Sequence, residues 1–463
     1  MNENETEKNP LASAPIGSLM IKYAIPSVVA LVVNAMYNIV DQIFIGWGVG
    51  TLGNSATNVV FPLNMVVMAL ALLLGDGGAA YLSLELGRGN KKEAEKGVNN
   101  TFSWLIIVGI LFCLFCAIFL KPLVALFGAT PDNLQYALEY GRIVVLGFPF
   151  VIIGSGMCSM IRADGTPQLT MTSMIVGCLT NVVLDALFVL GFGWGMTGAA
   201  VATVIGQIFS FALCIWYIPR FKTVKINGKD MKPEFRMLRK MAGYGVSSFI
   251  AQIAVAIIMT VINYYLVHCG MDSKYGADIP LAAFGIVMKF NTILTSIVMG
   301  IGTGAQPIVG YNYGRADYKR VKKTLTTATI SATLFAVIFF LIFQIFPKQL
   351  TDLFGNQGDL YAEFSIMSFR IFTLLCFVNG FQAVAAIFFQ SIGKPVLSGA
   401  LSLSRQIVIL IPAVVILCNR MGVKGVLWAG PVADGLAFAL ALVLILAEIK
   451  KINRLEQKKG TAE

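Results

Sequence analysis

The sequence is poor in charge and almost free of histidine, and these shortages exclude several classes of protein. Only 13% of its 463 residues are charged and 57% are hydrophobic, whereas soluble proteins carry about a quarter charged residues. A soluble domain of this length is therefore excluded. The single histidine, His268, offers no pair of imidazoles for a metal-dependent membrane enzyme. No G-x-x-x-x-G-K-[ST] motif is present, which argues against a nucleotide-driven pump.

Cysteine is present but gives no disulfide framework. Six of the eight cysteines fall inside apolar stretches without the spacing of metal ligands. Only Cys269 and Cys418 lie near the outer edge of such stretches, which leaves room for one bridge there.

Long apolar runs dominate the chain instead. About 20 apolar residues span a bilayer as a helix, and this window predicts an all-α polytopic membrane protein. Residues 1–17 lack the features of a cleaved signal peptide, so the first span is expected to be an uncleaved insertion signal. The twelve predicted spans are 20–45, 54–80, 99–120, 139–161, 169–190, 197–218, 243–267, 281–308, 326–346, 365–388, 396–417 and 425–448.

Basic residues predict the orientation of these spans. The N-terminal segment, alternate loops and the C-terminal tail hold 26 of the 35 Lys and Arg residues, and the opposite loops hold five. Because cytoplasmic loops carry the excess of Lys and Arg, both termini are predicted to be cytoplasmic. The formal net charge of +11 has the same origin and indicates contact with anionic headgroups rather than nucleic acid.

The two halves of the sequence repeat each other with a shift of about 227 residues. The segment LLLGDGGAAYLSLELGRGN (72–90) aligns with MGIGTGAQPIVGYNYGRAD (299–317), and IRADGTP (161–167) aligns with FQSIGKP (389–395). Each half contains six spans, and an even number restores the orientation, so the two six-helix repeats are predicted to be parallel. Two like-oriented bundles are typical of a transporter.

This repeat divides the chain into five predicted regions. They are a cytoplasmic segment 1–19, an N-lobe 20–218, a basic cytoplasmic linker 219–242, a C-lobe 243–448 and a basic cytoplasmic tail 449–463.

Two acids inside the N-lobe spans are the first candidates for a functional site. Asp41 in span 1 and Asp185 in span 5 both lie about 8 Å below the outer end of an outward-running helix, at 1.5 Å per residue. Thr203 in span 6 lies at the same level, and Asn181 shares a helix face with Asp185. Such an oxygen-rich set suits H⁺ or Na⁺. The alternative is that these polar residues only join helices by hydrogen bonds.

The C-lobe has a different pattern of charge. Asp434 in span 12 is accompanied by Lys289 in span 8 and Arg405 in span 11, so its charge is expected to be neutralised internally. A structural ion pair or a snorkelling lysine is the alternative interpretation. The further candidates for substrate contact are Asn34, Asn38, Gln207, Lys289, Arg405 and Asp434.

Several stretches together resemble one known family. They are NAMYNIVDQIFIG (34–46), LGRGN (86–90) with its repeat YGRAD (313–317), IRADGTP (161–167), NVVLDALF (181–188) and GMTGAAVAT (195–203). Over residues 15–450 the chain resembles the MATE (multidrug and toxic compound extrusion) family, in its DinF/MepA-like branch.

The resemblance implies a V-shaped pair of lobes that exports organic cations or amphiphilic drugs in exchange for H⁺ or Na⁺. It also implies that Asp41, Asn181, Asp185 and Thr203 bind the coupling ion, including Na⁺. No cofactor, enzymatic activity, nucleic acid or obligate protein partner is expected, and a monomer in the cytoplasmic membrane of a prokaryote is predicted. A flippase for lipid-linked oligosaccharides, from the related superfamily, is the alternative function.

Overall fold

The computed structural model is α-helical throughout and describes residues 10–129, 131, 133–226, 232–276, 278–352 and 358–460. Among the described residues, eleven helices are long and apolar enough to cross a membrane, and a bent helix pair would make a twelfth span if it crosses as one unit. No β-strand occurs within these described ranges. The predicted all-α polytopic fold class is thereby confirmed, and the eleven or twelve candidate spans agree with the twelve predicted.

We label the spans α1 to α12. In the first half, α1 is Ile16–Gly48, α2 is Thr51–Gly87, α3 is Lys91–Leu126, α4 is Leu134–Ala163, α5 is Pro167–Asp185 with a π-helical continuation Ala186–Gly191, and α6 is Gly195–Tyr217. In the second half, α7 is Phe235–Met271, α8 is Asp278–Gly314, α9 is Tyr318–Ile345, α10 is Asp359–Phe372 with Asn379–Ser391, α11 is Pro395–Leu403 with a π-helical segment Ser404–Leu410 and Ile411–Met421, and α12 is Val423–Gly460.

Shorter helical pieces complete the chain. Pro10–Ser13 precedes α1, Ile218–Arg220 follows α6, and Pro347–Asp352 follows α9. The two parts of α10 meet at a bend of 44° around the short turn Cys376–Val378.

The described residues divide into two compact units. Residues 25–252 form unit 1, and residues 253–460 together with 10–24 form unit 2. The first nine residues of α1 and the first half of α7 are therefore exchanged, since each belongs to the unit formed mostly by the other repeat. Ile25 and Ile253, where the membership changes, are 228 positions apart, which matches the shift of the sequence repeat.

In unit 1, α4 is the central helix and packs against α2, α3 and α6. Glycines allow this close approach, because a Cβ atom on Gly75 of α2 would lie 2.5 Å from the Cα atom of Gly156 in α4. Helices in a membrane associate through such small residues, since lipid supplies no hydrophobic force between them. Two-thirds of the most apolar part of α4 is accordingly buried.

The first half of α7 is held in unit 1 by backbone contact and by polar contacts. A Cβ atom on Gly245 would lie 1.8 Å from the backbone oxygen of Leu73, so the two helices cross without side chains between them. Ser248 donates a hydrogen bond of 2.8 Å to Asp76 of α2. The segment that precedes α1 is held in unit 2 by Arg320 of α9, whose Nη2 atom donates to the backbone oxygens of Leu11 and Ala14.

The repeated sequence motifs form equivalent turns in the two halves. Gly89 and Ala316 occupy matching positions after α2 and α8, and both have positive φ, 81° and 60°. Gly165 and Gly393 likewise match and have φ of 98° and 78°. Because a residue with left-handed backbone ends a helix, the repeated motifs are explained by their position where the chain leaves one helix and turns into the next.

The IRADGTP motif has a second structural role in unit 1. Asp164 accepts hydrogen bonds from the backbone nitrogens of Lys222 and Thr223, from the Thr223 hydroxyl and from the Tyr217 hydroxyl. These bonds tie the end of α6 to the turn between α4 and α5. The matching position in the second half is Ile392, which has no such acceptor.

One disulfide connects two spans of unit 2. Cys269 near the end of α7 is bonded to Cys418 in α11, with a Cα–Cα distance of 6.5 Å. This is the pair that the sequence left open, and the remaining six cysteines are free.

Candidate functional site

The two acids singled out in the first half lie close together in unit 1. Asp41 on α1 and Asp185 on α5 are 8% and 0% exposed, and their carboxyl groups are within hydrogen-bonding reach of each other. Asp185 is the last α-helical residue before the π-helical segment of α5. Because π-helical turns frequently occur at functional sites, the backbone itself marks this position.

The amide and the hydroxyl expected beside these acids are also present. Asn181 lies one turn before Asp185, and its Nδ2 atom donates to the Thr203 hydroxyl of α6 across 3.4 Å. Both side chains are buried, with exposures of 1% and 5%. All four predicted residues are thus brought together inside unit 1 by α1, α5 and α6.

Two tyrosines that the sequence analysis missed complete the cluster. The Tyr37 hydroxyl lies 3.5 Å from the Thr203 hydroxyl, and the buried Tyr140 of α4 is within hydrogen-bonding reach of the same Thr203 hydroxyl. Tyr37 precedes Asp41 by one helical turn, so its spacing was a usable signal. Nothing in the local sequence of Tyr140 indicated its proximity, since α4 is distant along the chain.

Four oxygen atoms of this cluster lack hydrogen-bond donors among the described residues. Within the described residues, Asp41 Oδ1, both Asp185 carboxyl oxygens and Asn181 Oδ1 are buried and have no donor. Two ionised carboxylates cannot satisfy each other, because neither carries a proton to donate. Burying such groups without compensation is costly, so the cluster suits a proton or a metal cation.

The oxygen set has the composition of a site for a hard cation. Carboxylate, amide and hydroxyl oxygens are the ligands that hard cations bind. The part of the chain that the structure describes contains no group of three His, Cys, Asp or Glu residues arranged for a metal. A Na⁺ ion at this cluster would instead be held by two carboxylates, Asp41 and Asp185, together with the Asn181 and Thr203 oxygens.

The other first-half candidates lie on the same two helices. Asn34 lies on α1 two turns before Asp41, and the side chain of Asn38 lies outside the described part of the structure. Gln207 follows Thr203 by one turn on α6, and its Oε1 atom is buried without a donor among the described residues. Gln207 thus extends the polar face of α6 beyond Thr203.

The candidates of the second half form a separate cluster in unit 2. Arg405 Nε donates to Asp434 Oδ1 across 2.8 Å, and Asn379 Nδ2 lies 3.3 Å from Asp434 Oδ2. Asp434 is 3% exposed, so its charge is neutralised internally by Arg405. Lys289 is half-buried on α8.

Asp76 of α2 is buried in an ion pair of unit 1. It accepts a hydrogen bond of 2.6 Å from Ser159, and an Nη2 atom of Arg162 lies 3.7 Å from the same carboxyl oxygen. With Ser248 as a third partner, Asp76 joins α2, α4 and α7. Its polar partners distinguish it from Asp41 and Asp185.

Comparison with known proteins identifies the family. The model of the MatE family matches residues 26–187 and 248–416, which is more than half of the chain. The chain belongs to the MatE family. This MatE protein is 25% identical to the multidrug export protein MepA of Staphylococcus aureus (strain MSSA476), over 94% of each chain. MepA of Staphylococcus haemolyticus (strain JCSC1435) is 24% identical over 92% of each chain.

Solved structures share the fold of this MatE protein. An outward-facing multidrug resistance MATE family transporter of the MOP superfamily matches with a TM-score of 0.89 and 21% identity, covering 96% of this chain and 98% of that one. A MOP superfamily transporter from Pyrococcus furiosus Vc1 (DSM3638), reported with reverse polarity of its binding pocket, gives a TM-score of 0.88 and 20% identity over 96% and 98%. The predicted family resemblance is confirmed.

Proposed function

We propose that this MatE protein is a secondary active multidrug exporter that moves amphiphilic organic cations outward in exchange for H⁺ or Na⁺. The observation that carries the coupling proposal is the buried cluster of Asp41, Asp185, Asn181 and Thr203, in which Asp41 Oδ1, both Asp185 carboxyl oxygens and Asn181 Oδ1 lack donors among the described residues. The relatives named multidrug export protein support the substrate class.

The chemistry of the cluster favours reversible binding of a cation. Two carboxyl groups within reach of each other in a buried site repel when both are ionised. A proton or a Na⁺ ion removes that repulsion, and its departure restores it. The cluster thus has two states of different charge, which an ion gradient can interconvert.

Movement of α1 would couple this change of charge to the substrate. Asp41 lies on α1, and Pro26 lies inside the same helix beside the position where α1 changes unit. Proline removes a backbone hydrogen bond and favours a bend. We infer that binding of the ion at Asp41 changes the packing of the outer half of α1, with Pro26 as the bend point.

The location and the partners follow from the same proposal. The excess of basic residues on one set of loops supports cytoplasmic termini, and bacterial relatives support the cytoplasmic membrane of a prokaryote. The protein is proposed to work as a monomeric transporter without catalysis, with small molecules and the bilayer as its partners.

Efflux from proteoliposomes tests the function and names the coupling ion. Ethidium transport is measured under an imposed pH gradient and, separately, under an imposed Na⁺ gradient. Wild type is compared with Asp41→Asn, Asp185→Asn and the control Asp272→Asn, which changes an exposed carboxylate after α7. We expect one gradient to drive transport in wild type and in the control, with a loss of at least tenfold in the other two variants.

Two results would contradict the proposal. If wild type moves no cation under either gradient, the export function fails and transfer of a labelled lipid-linked oligosaccharide is tested next. If Asp41→Asn and Asp185→Asn both couple normally, export stands but its coupling site lies elsewhere.

A further inference from the structure

The Arg405 side chain of unit 2 is fixed by one edge of its guanidinium group. Its Nε atom donates to Asp434 Oδ1 at 2.8 Å, and Asp434 is itself oriented by Asn379. A guanidinium group carries five N–H donors in a rigid plane, and only Nε is used in this contact. The side chain is thereby held in one orientation with its far edge unused.

That far edge has no hydrogen-bond partner among the described residues. Neither Nη1 nor Nη2 of Arg405 donates a hydrogen bond to a described residue, and the side chain is 28% exposed, against 4% for Asp434. The two Nη atoms form the end-on pair of donors that binds a carboxylate through two parallel hydrogen bonds. The geometry therefore leaves a preformed receptor for a planar anion.

Arg405 lies deep in the membrane, where a partly exposed guanidinium group costs free energy unless it serves a function. Arg405 lies ten residues into α11, which runs from Pro395 to Met421, so it is about 15 Å from the inner end of the helix. That distance is about half of the hydrocarbon thickness. A partly exposed guanidinium at mid-depth marks a substrate or ion pathway rather than a lipid contact.

The backbone around Arg405 has the irregularity of the site in unit 1. Arg405 lies in the π-helical segment Ser404–Leu410, and Asp185 immediately precedes the π-helical segment of α5. The fifth helix of each repeat thus presents one charged residue at a π-helical segment, and the two charges are opposite. Asn379, which contacts Asp434, begins the second part of the bent helix α10. Discontinuous helices in transporters supply binding groups at mid-depth.

We propose that Arg405 binds the carboxylate of amphiphilic substrates that carry one and thereby distinguishes zwitterions from otherwise similar cations. Asp434 and Asn379 are positioning residues, which hold the guanidinium so that Nη1 and Nη2 point away from the ion pair. This inference rests on the proposed export function and specifies its substrate class. A lipid phosphate has the same chemistry, but headgroups lie about 15 Å from mid-depth, which favours the soluble carboxylate.

A matched pair of dyes tests the proposal by binding rather than by transport. Rhodamine 110 carries a free carboxylate, and rhodamine 123 is its methyl ester. Dissociation constants are measured by fluorescence anisotropy with the full-length protein in nanodiscs of phosphatidylcholine. In Arg405→Gln/Asp434→Asn, which removes both charges together, we expect rhodamine 110 to bind at least tenfold more weakly and rhodamine 123 to change by less than twofold.

The second variant separates the guanidinium from its charge. Arg405→Lys retains a cation beside Asp434 but lacks the planar pair of donors. We therefore expect its affinity for rhodamine 110 to fall at least threefold, while its affinity for rhodamine 123 does not fall. This variant decides the question if the double variant does not fold. Equal losses for both dyes, or no loss for rhodamine 110 in either variant, would overturn the proposal.

Lipid competition distinguishes the two sources of an anion. Replacing a third of the phosphatidylcholine by digalactosyldiacylglycerol, a lipid without phosphate, is expected to leave rhodamine 110 binding unchanged, and a marked strengthening would assign Arg405 to a lipid phosphate instead. Failure of the export function would be distinguished from failure of this proposal, because wild-type protein would then bind rhodamine 123 without transporting it.

Discussion

The carboxyl groups of Asp41 on α1 and Asp185 on α5 are buried within hydrogen-bonding reach of each other, and neither Asp185 oxygen has a donor among the described residues. Residues that join helices for stability have satisfied hydrogen bonds. This pair lacks them, so it is expected to lower stability while it serves transport.

Replacing Asp185 by asparagine tests that expectation. We predict that Asp185→Asn raises the thermal midpoint of unfolding by at least 2 °C in detergent, because it removes a buried charge near another, while transport is lost. Differential scanning fluorimetry measures the midpoint, with Asp272→Asn as the exposed control. A lower midpoint for Asp185→Asn would show that the residue has a structural role.

The disulfide between Cys269 and Cys418 is expected to stabilise unit 2, because it joins residues separated by 149 positions. A disulfide typically contributes roughly 2 to 4 kcal/mol, and the loop-entropy relation gives about 5 kcal/mol for a loop of that length. We predict that dithiothreitol, or Cys269→Ser/Cys418→Ser, lowers the thermal midpoint, and that reductant has no further effect on the variant. Cys113→Ser serves as the control, since Cys113 is a free thiol. An unchanged midpoint after complete reduction would contradict this prediction.

The crossing of α7 and α2 at Gly245 is predicted to tolerate no side chain. A Cβ atom there would lie 1.8 Å from the backbone oxygen of Leu73, and backbone cannot rotate away. We expect Gly245→Ala to destabilise the protein by about 1 to 3 kcal/mol, measured as a loss of monodisperse protein and a lower thermal midpoint.

Two residues earlier, Gly243 provides a matched control on the same helix. No atom lies within 4 Å of a Cβ atom built at Gly243, and alanine is favoured over glycine in a helix by about 1 kcal/mol. Gly243→Ala should therefore be neutral or stabilising. Equal changes of the thermal midpoint in the two variants would mean that the close crossing of α7 and α2 does not determine the effect of a side chain at Gly245.

The matching turns at Gly89 and Ala316 give an opposed pair of predictions. Both positions have positive φ, and a Cβ atom at Gly89 would meet no atom within 4 Å. Left-handed backbone costs a residue with a side chain about 1 kcal/mol. Gly89→Ala is therefore expected to lower the thermal midpoint and Ala316→Gly to raise it. Changes of the same sign in both variants would rule out backbone strain as the cause.

Much of the architecture was predictable because hydropathy and charge are properties of each residue in its own segment. The number of spans follows from the length of apolar runs, and the repeat follows from glycine and proline motifs that end helices in both halves. Depth along a helix is also local information, since each residue adds 1.5 Å. Asp41, Asp185, Asn181 and Thr203 could therefore be assigned to one level before the helices were assembled.

Lateral packing is not recorded in any single segment, and only the tertiary structure decided it. The rotation of each helix depends on close contacts such as that between Gly245 and Leu73, which join residues far apart in the sequence. These contacts bring Tyr140 to Thr203, pair Arg405 with Asp434, and assign the first residues of α1 and the first half of α7 to opposite units. The sequence by itself determined which residues lie at which depth, and packing determined which of them meet, because small residues permit close contact only where two helix surfaces are complementary.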